Sequence, residues 1–389
     1  MVEQEHVTPP SYPFEVGPYG SSTLAYDQFR RSTPVCRVSL PSGIQAWLVT
    51  RYADVCAVLK DPTFSRNEAV RVGAALVKDA AMELEIGVIQ NTDGAEHSRL
   101  RSVFASHYSP AHASRWAEII GAEAHKAIDR LSAGKIFDLR VDILESVGNR
   151  CAEKLFGLPI YKGHQILELY FDENIMRDLR SRLAALLHNR DRLPDGSYLG
   201  LLSAACRNGG ISEPELLANL MVFSTVTFQG LAAPFLGGMF AFLRNYDQWE
   251  SCVREPALVP NAVDEMLRSY PNGDGQFLRI AMADGMLCGV QIRCGDAVLA
   301  PAPAANTDPE IFPDPRRFDV RRPNSNRHIA FGVGPHRCLG SSLVEVWMRS
   351  VLAVLLDRLP SLRLAVTPET IRYVPHPLIN IMEKLPVVY

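Results

Sequence analysis

The stretch FGVGPHRCLG, residues 331–340, is where the chain concentrates residues able to do chemistry. Cys338 stands among Gly332, Gly334 and Gly340, with Phe331 leading and His336 two residues before it. A thiolate that binds iron needs a turn to present it, backbone N–H groups to stabilise its charge and apolar cover to exclude water. Gly332 and Gly334 permit a tight loop, and Phe331 can shield the sulfur. The run LGSSLVEVWMRSVLAVLLDRL begins a helix directly after Cys338, so its unpaired N–H groups and positive end would face the sulfur. Taken alone, the segment also reads as an ordinary buried cysteine at a helix start.

The remaining cysteines, Cys36, Cys56, Cys151, Cys206, Cys252, Cys288 and Cys294, lack the paired spacings of zinc or iron–sulfur sites. They read as buried small hydrophobes, with Cys288 and Cys294 packing from one strand face. At 389 residues the length allows two or three domains, and 47% apolar with 21% charged residues describes a globular chain with a large core. A net charge of −3 gives no basic field for nucleic acid or an anionic membrane, which leaves a small molecule as the expected partner. The amino-terminal residues 1–20 show neither a signal-peptide pattern nor a span, so they read as an extended segment of an unanchored, cytoplasmic chain.

The elements that must position Cys338 are mostly helical. Apolar residues recur near helical spacing over 51–60, 97–106, 112–133, 140–156, 165–189, 212–243, 259–269 and 339–358. Alternation around Pro-Ser-Gly over 35–50 predicts a hairpin, and short strands return between 275 and 300. Residues 306–326, rich in Pro, Asp and Asn, have no period and predict an ordered meander or a linker.

Phe331, Gly334, Cys338 and Gly340 match every fixed position of F-x-x-G-x-x-x-C-x-G, a coincidence arising by chance about once per 10⁵ to 10⁶ positions. Here the chain resembles the cytochrome P450 family, in particular its soluble bacterial members, from about residue 20 to the C-terminus. The resemblance implies a mainly α fold with small β-sheets, one large domain over 1–389, and haem b held through Cys338. It also implies that Glu265 and Arg268 of EMLR pair at i,i+3 and lock onto Arg322 of the meander, holding the cysteine loop. His97, Arg101, Arg279 and His336 stand where the family places partners of the haem propionates, and Phe331, Gly332 and Gly340 complete the expected cofactor contacts. With no flavin, GxGxxG or ferredoxin-type segment in the chain, electrons are expected from a separate ferredoxin and ferredoxin reductase, docking near Arg99, Arg327 and Arg337. A monomer is implied.

The distal side departs from the family. Where relatives carry [AG]-G-x-[DE]-T in the long central helix, this chain has Val226, Thr227, Phe228, Gln229 and Gly230. Gln229 cannot titrate and Gly230 has no hydroxyl, so the usual proton relay is missing. Pro234 lacks an N–H and is expected to kink the helix and leave the Gly230 carbonyl without its helical donor. Within the resemblance, such losses accompany peroxide use, substrate-derived protons, or radical coupling in place of oxygen insertion. The chain therefore reads as a natural-product tailoring oxidoreductase acting on an aromatic, peptide-derived intermediate, such as a cyclic dipeptide, by C–C or C–N coupling. A hydroxylating monooxygenase or peroxygenase is one alternative; a non-catalytic haem-thiolate sensor is another. Substrate contacts are expected from Val88, Thr225, Val226, Gln229, Gly275, Phe277, Pro377 and Leu378, with Gln229 and Gly230 nearest the reacting atoms.

Overall fold

Thirteen α-helices carry most of the regular structure among the residues described, which are 8–76, 85, 87–105, 108–156, 173–189, 198–271, 278–374 and 382–389 of a computed structural model. At 225–230 the description covers the backbone alone. The fold is predominantly helical with small β-sheets. No helix among the described residues is long and apolar enough to cross a membrane.

The central helix, Glu213–Arg244, starts on a capping box. Ser212 accepts from the Glu215 N–H, and the Glu215 carboxylate accepts from the Ser212 N–H. It runs without interruption through Pro234, whose ring nitrogen gives the Gly230 carbonyl no hydrogen. Residues 231–243, with Phe235, Leu236, Met239 and Phe240 among them, are buried, so this part of the helix runs through the core rather than over the surface. The helix after the cysteine, Ser341–Arg358, buries Met348, Val351, Leu352 and Leu355 in the same core. Phe235 and Trp347 join the two helices edge to face at 5.0 Å.

The 35–50 hairpin forms with Val35 opposite Val49 and Ser39 opposite Gln45. It is one edge of a five-stranded sheet in the order Val35–Ser39, Gln45–Val49, Ala297–Leu299, Arg279–Ala281, Phe64–Ser65. That order carries Arg279 and Ser65 into neighbouring strands. The 140–156 pattern resolves into a π-helical stretch, Leu139–Glu145, continued by the α-helix Ser146–Phe156. The helices Ala25–Ser32, Tyr198–Arg207 and Tyr246–Arg254 were not anticipated from the periodicity.

The cysteine expectation needs correction. Only Cys151 and Cys252 are buried; Cys36, Cys56 and Cys206 are half-buried, and Cys288 and Cys294 are exposed. Those last two do not share a strand. Cys288 turns the hairpin between Gly285–Leu287 and Val290–Ile292 with φ 46°, while Cys294 follows the second strand. The alternation in CGVQIRC was real, but a turn falls on its first residue.

Candidate functional site

The loop before Cys338 is built from successive tight turns. Gly332 N–H donates to Ile329 O at 2.8 Å, Arg337 N–H to Gly334 O at 3.1 Å, and Cys338 N–H back to Phe331 O at 2.8 Å. Gly334 has φ 78°, and a Cβ there would stand 2.5 Å from the Leu59 carbonyl oxygen. Both conformation and space therefore demand glycine. The loop thus lies directly on the end of the helix Tyr52–Lys60.

Burial pushes the Cys338 thiol up. The Gly340 N–H, Arg337, Arg101 and the Ser341 N–H pull the other way. The residue itself is solvent-accessible. Among the described residues, a Cβ on Gly340 would meet only the Tyr108 ring, at 3.9 Å, which leaves room beside the sulfur.

Behind the loop, Glu265, Arg268 and Arg322 come together, all buried. Arg268 grips Glu265 through Nε at 2.7 Å and Nη2 at 2.8 Å, and Arg322 Nε reaches both carboxylate oxygens at 3.1 and 3.2 Å. Backbone carbonyls take up the other guanidinium hydrogens, including Asn306 O and Pro315 O from Arg268, and Pro313 O and Arg317 O from Arg322. The path to the cysteine is short. Asn306 Oδ1 accepts from Ile329 N–H at 2.8 Å, and Ile329 O anchors Gly332. Asn306 had no signal in the sequence that marked it out.

A basic cluster gathers on the other side. His97, buried, lies against the His336 ring at 4.4 Å between centroids. His336 Nε2 pairs with Asp93 Oδ1 at 3.0 Å, and Asp93 Oδ2 accepts from Ser65 Oγ and the Asn67 N–H. Burial, then His336 and Arg101, push His97 down to about 4, so it is neutral near pH 7. Despite its own burial, Asp93 is held well below the usual carboxylate range by His336, Asn67 and Ser65. Burial also lowers Arg279, to about 10, still cationic at pH 7. Arg101 is half-buried nearby. Asp93 and Arg66 are members of this neighbourhood that the sequence reading missed.

Two turns of the central helix from its start, Asn219 is fully buried. Its amide donates to Gly87 O at 2.8 Å and accepts from Ile89 N–H at 2.9 Å, clasping the backbone around Val88. Val88 itself is fully buried in the apolar core with Leu100 and Phe104. Thr225, Val226, Gln229 and Gly230 lie in continuous helical backbone; their side chains, and all of Gly275, Phe277, Pro377 and Leu378, lie outside the described residues. Arg327 and Arg337 are exposed beside the cysteine loop, whereas Arg99 is engaged by Glu215 and the Gly210 carbonyl.

The Cytochrome P450 family profile matches residues 250–370. Over 98% of its length the chain is 31% identical to the mycinamicin IV hydroxylase/epoxidase of Micromonospora griseorubida, covering 99% of that protein. The chain belongs to the cytochrome P450 family. The crystal structure of HinD with NMFT and NO superposes with a TM-score of 0.89 at 31% identity, covering 98% of this P450 and all of that chain. CxnD, a cytochrome P450 enzyme for C–S bond formation in chuangxinmycin biosynthesis, superposes with a TM-score of 0.86 at 25% identity over 98% of each chain.

The residues fit the haem b that membership implies. Cys338 is solvent-accessible with the N–H donors of Gly340 and Ser341 beside its thiol, and among the described residues Arg279, His97 and His336 gather about Asp93. Cys338 would hold the iron, and Arg101, Arg279, His97 and His336 the propionates. Bound there, haem with an anionic thiolate ligand supplies activation of dioxygen and abstraction of hydrogen atoms. This chain's own part would be to present the sulfur with the Gly340 and Ser341 N–H groups, Arg337 and Arg101 favouring its charge, to hold its loop through the Glu265 triad, and to compensate acidic groups at the cofactor's edge.

Proposed function

We propose that this P450 couples aromatic rings within a peptide-derived natural-product intermediate, a cyclic dipeptide being the substrate type that fits the reading. The observation that carries it is the pair Gln229–Gly230, set in unbroken helix where the family's acid and alcohol would stand. Without a titrating acid or a hydroxyl there, the two protons that dioxygen reduction takes from outside, in coupling and in oxygen insertion alike, must come through water or the bound substrate, a loss that within the resemblance accompanies ring coupling. Coupling withdraws two hydrogen atoms from the substrate to form one ring–ring bond. One dioxygen is reduced to two waters with two electrons and two protons from outside. The likeness to CxnD supports bond formation as an outcome on this scaffold.

Electrons would come from a ferredoxin and its reductase, with exposed Arg327 and Arg337 offering an acidic partner a landing beside the cysteine loop. Hydroxylation is the second reading, favoured by the 31% identity to a hydroxylase/epoxidase. Turnover of tryptophan-containing cyclic dipeptides under labelled dioxygen, with ferredoxin, reductase and NAD(P)H, separates the two. Coupling predicts a product lighter than substrate by two hydrogens and free of label. Label in the main product establishes hydroxylation, and no turnover of any bound candidate returns the sensor reading.

A further inference from the structure

Arg337 directly precedes Cys338. Its backbone N–H closes the turn onto Gly334 O at 3.1 Å, and its side chain then runs forward past the cysteine, where Nη1 donates to Ser341 Oγ at 2.6 Å. The guanidinium carbon lies 5.9 Å from the centre of the Phe331 ring, within cation–π reach. Arg337 is exposed and Ser341 is buried, so a group of the interior seats the tip of this side chain.

Both contacts belong to the surroundings of the thiol. The Cys338 N–H donates to Phe331 O at 2.8 Å, and the Ser341 N–H is one of the donors that favour a charged sulfur. Burial opposes that charge; the Gly340 N–H acts against the burial first, and the cation of Arg337 next, ahead of Arg101. A guanidinium stays charged throughout the physiological range, so this is a fixed positive charge held beside the sulfur. An electron added at an iron held by Cys338, with the thiolate kept and no proton taken up, makes the centre one unit more negative. A fixed cation beside the ligand therefore stabilises the reduced form more than the oxidised one.

We propose that Arg337, seated on Ser341 and Phe331, raises the reduction potential of the haem iron by acting through the Cys338 thiolate. The proposal rests on the haem-thiolate reading. Arg337 is a positioning residue in this account: it has no part in the chemistry of the substrate and governs how readily the first electron is accepted. This role is separate from any landing it offers a redox partner, because the field acts in the isolated protein.

The test measures the potential of the purified holoenzyme by mediated spectroelectrochemistry, with no redox partner present, for the native chain, Arg337→Gln, Arg337→Leu, Arg337→Lys and Arg327→Gln. Each neutral variant at 337 should lower the one-electron reduction equilibrium about fivefold, which is roughly 40 mV at 59 mV per tenfold. Arg337→Lys, which keeps the charge, should stay within about twofold of native. Arg327→Gln, which removes another exposed charge beside the loop, should also stay within about twofold, because solvent and salt screen it. A native potential in either neutral variant, or a fivefold fall in Arg327→Gln or Arg337→Lys, overturns the proposal. Should neither neutral variant hold haem, Arg337→Lys decides alone: a potential within about twofold of native supports a charge at that place, and a fivefold fall or loss of haem overturns it. Absence of a thiolate-type spectrum in the native protein would instead sink the cofactor assignment itself.

Discussion

The two sides of the haem site are specified in opposite ways. On the cysteine side, backbone hydrogen bonds, a glycine with no room for a side chain, and a buried Glu265–Arg268–Arg322 triad fix one geometry within a few residues. On the side of the central helix, in the proposed reading, Gln229 and Gly230 stand where the family's acid and alcohol would be, with the helix backbone unbroken around them. The difference teaches that holding the thiolate tolerates little variation, because each part supports the next. Gln229 and Gly230 stand on a helix anchored by the buried Phe235, Met239 and Phe240 further along, so its place in the core does not rest on an acid or an alcohol at those two positions.

The largest effect is expected where that chain of support begins. Glu265→Ala would leave Arg268 and Arg322 buried without their carboxylate, at roughly 3–5 kcal/mol. The variant should be recovered without haem, as the ratio of Soret to protein absorbance reports. A folded, haem-replete Glu265→Ala would remove the triad from the account.

Gly334→Ala should come next. It forces a left-handed backbone on alanine, roughly 1–3 kcal/mol, and drives its Cβ onto the Leu59 carbonyl. Thermal unfolding should drop by several degrees and haem content should fall. An unchanged melting temperature would mean that the loop does not rest on the Tyr52–Lys60 helix in solution.

A smaller effect concerns pH. Burial lowers His328 to about 4 from 6.5, with Arg268 and Arg337 adding to it. Its neutral Nδ1 accepts from the Ala330 N–H at 3.2 Å. A group depressed on folding binds fewer protons in the folded state, so its contribution is complete above about pH 6.5 and is lost as pH falls toward 4. Haem retention should therefore decline over that window, and His328→Asn, which keeps a local acceptor, should flatten the decline. An identical pH profile in the variant would refute this role.

The smallest effect on stability, and the sharpest contrast with the cysteine side, belongs to Gln229→Glu combined with Gly230→Thr. Haem content and melting temperature should stay close to native while products shift toward oxygen insertion. A simple rise in yield of the same product would show that proton delivery was limiting all along.

Much of this was legible in the sequence because it is local. The cysteine loop, the i,i+3 pair and the 35–50 hairpin each follow from spacing within about ten residues. Arg322 became legible only through the resemblance. What stayed hidden depends on burial that spacing does not encode. Arg66 looks alike in sequence to Arg321 and Arg254, which are exposed, because a charged residue is hidden only by the fold around it. Asn219 stayed hidden for a related reason: the backbone that it clasps, around Val88, lies 131 residues away in sequence. Cys288 failed through turn chemistry, since a positive φ is uncommon for cysteine and the alternating pattern concealed it.

The central claim is that Cys338 is the thiolate that holds the iron. The most direct measurement is the absorption spectrum of the reduced protein under carbon monoxide, for the native chain, Cys338→His and Cys338→Ala. The native spectrum should show the red-shifted Soret band of a thiolate-ligated carbonyl complex. Cys338→His should move that band to the position given by a neutral nitrogen ligand, and Cys338→Ala should abolish it. A Cys338→Ala protein that retained the native band would contradict the account.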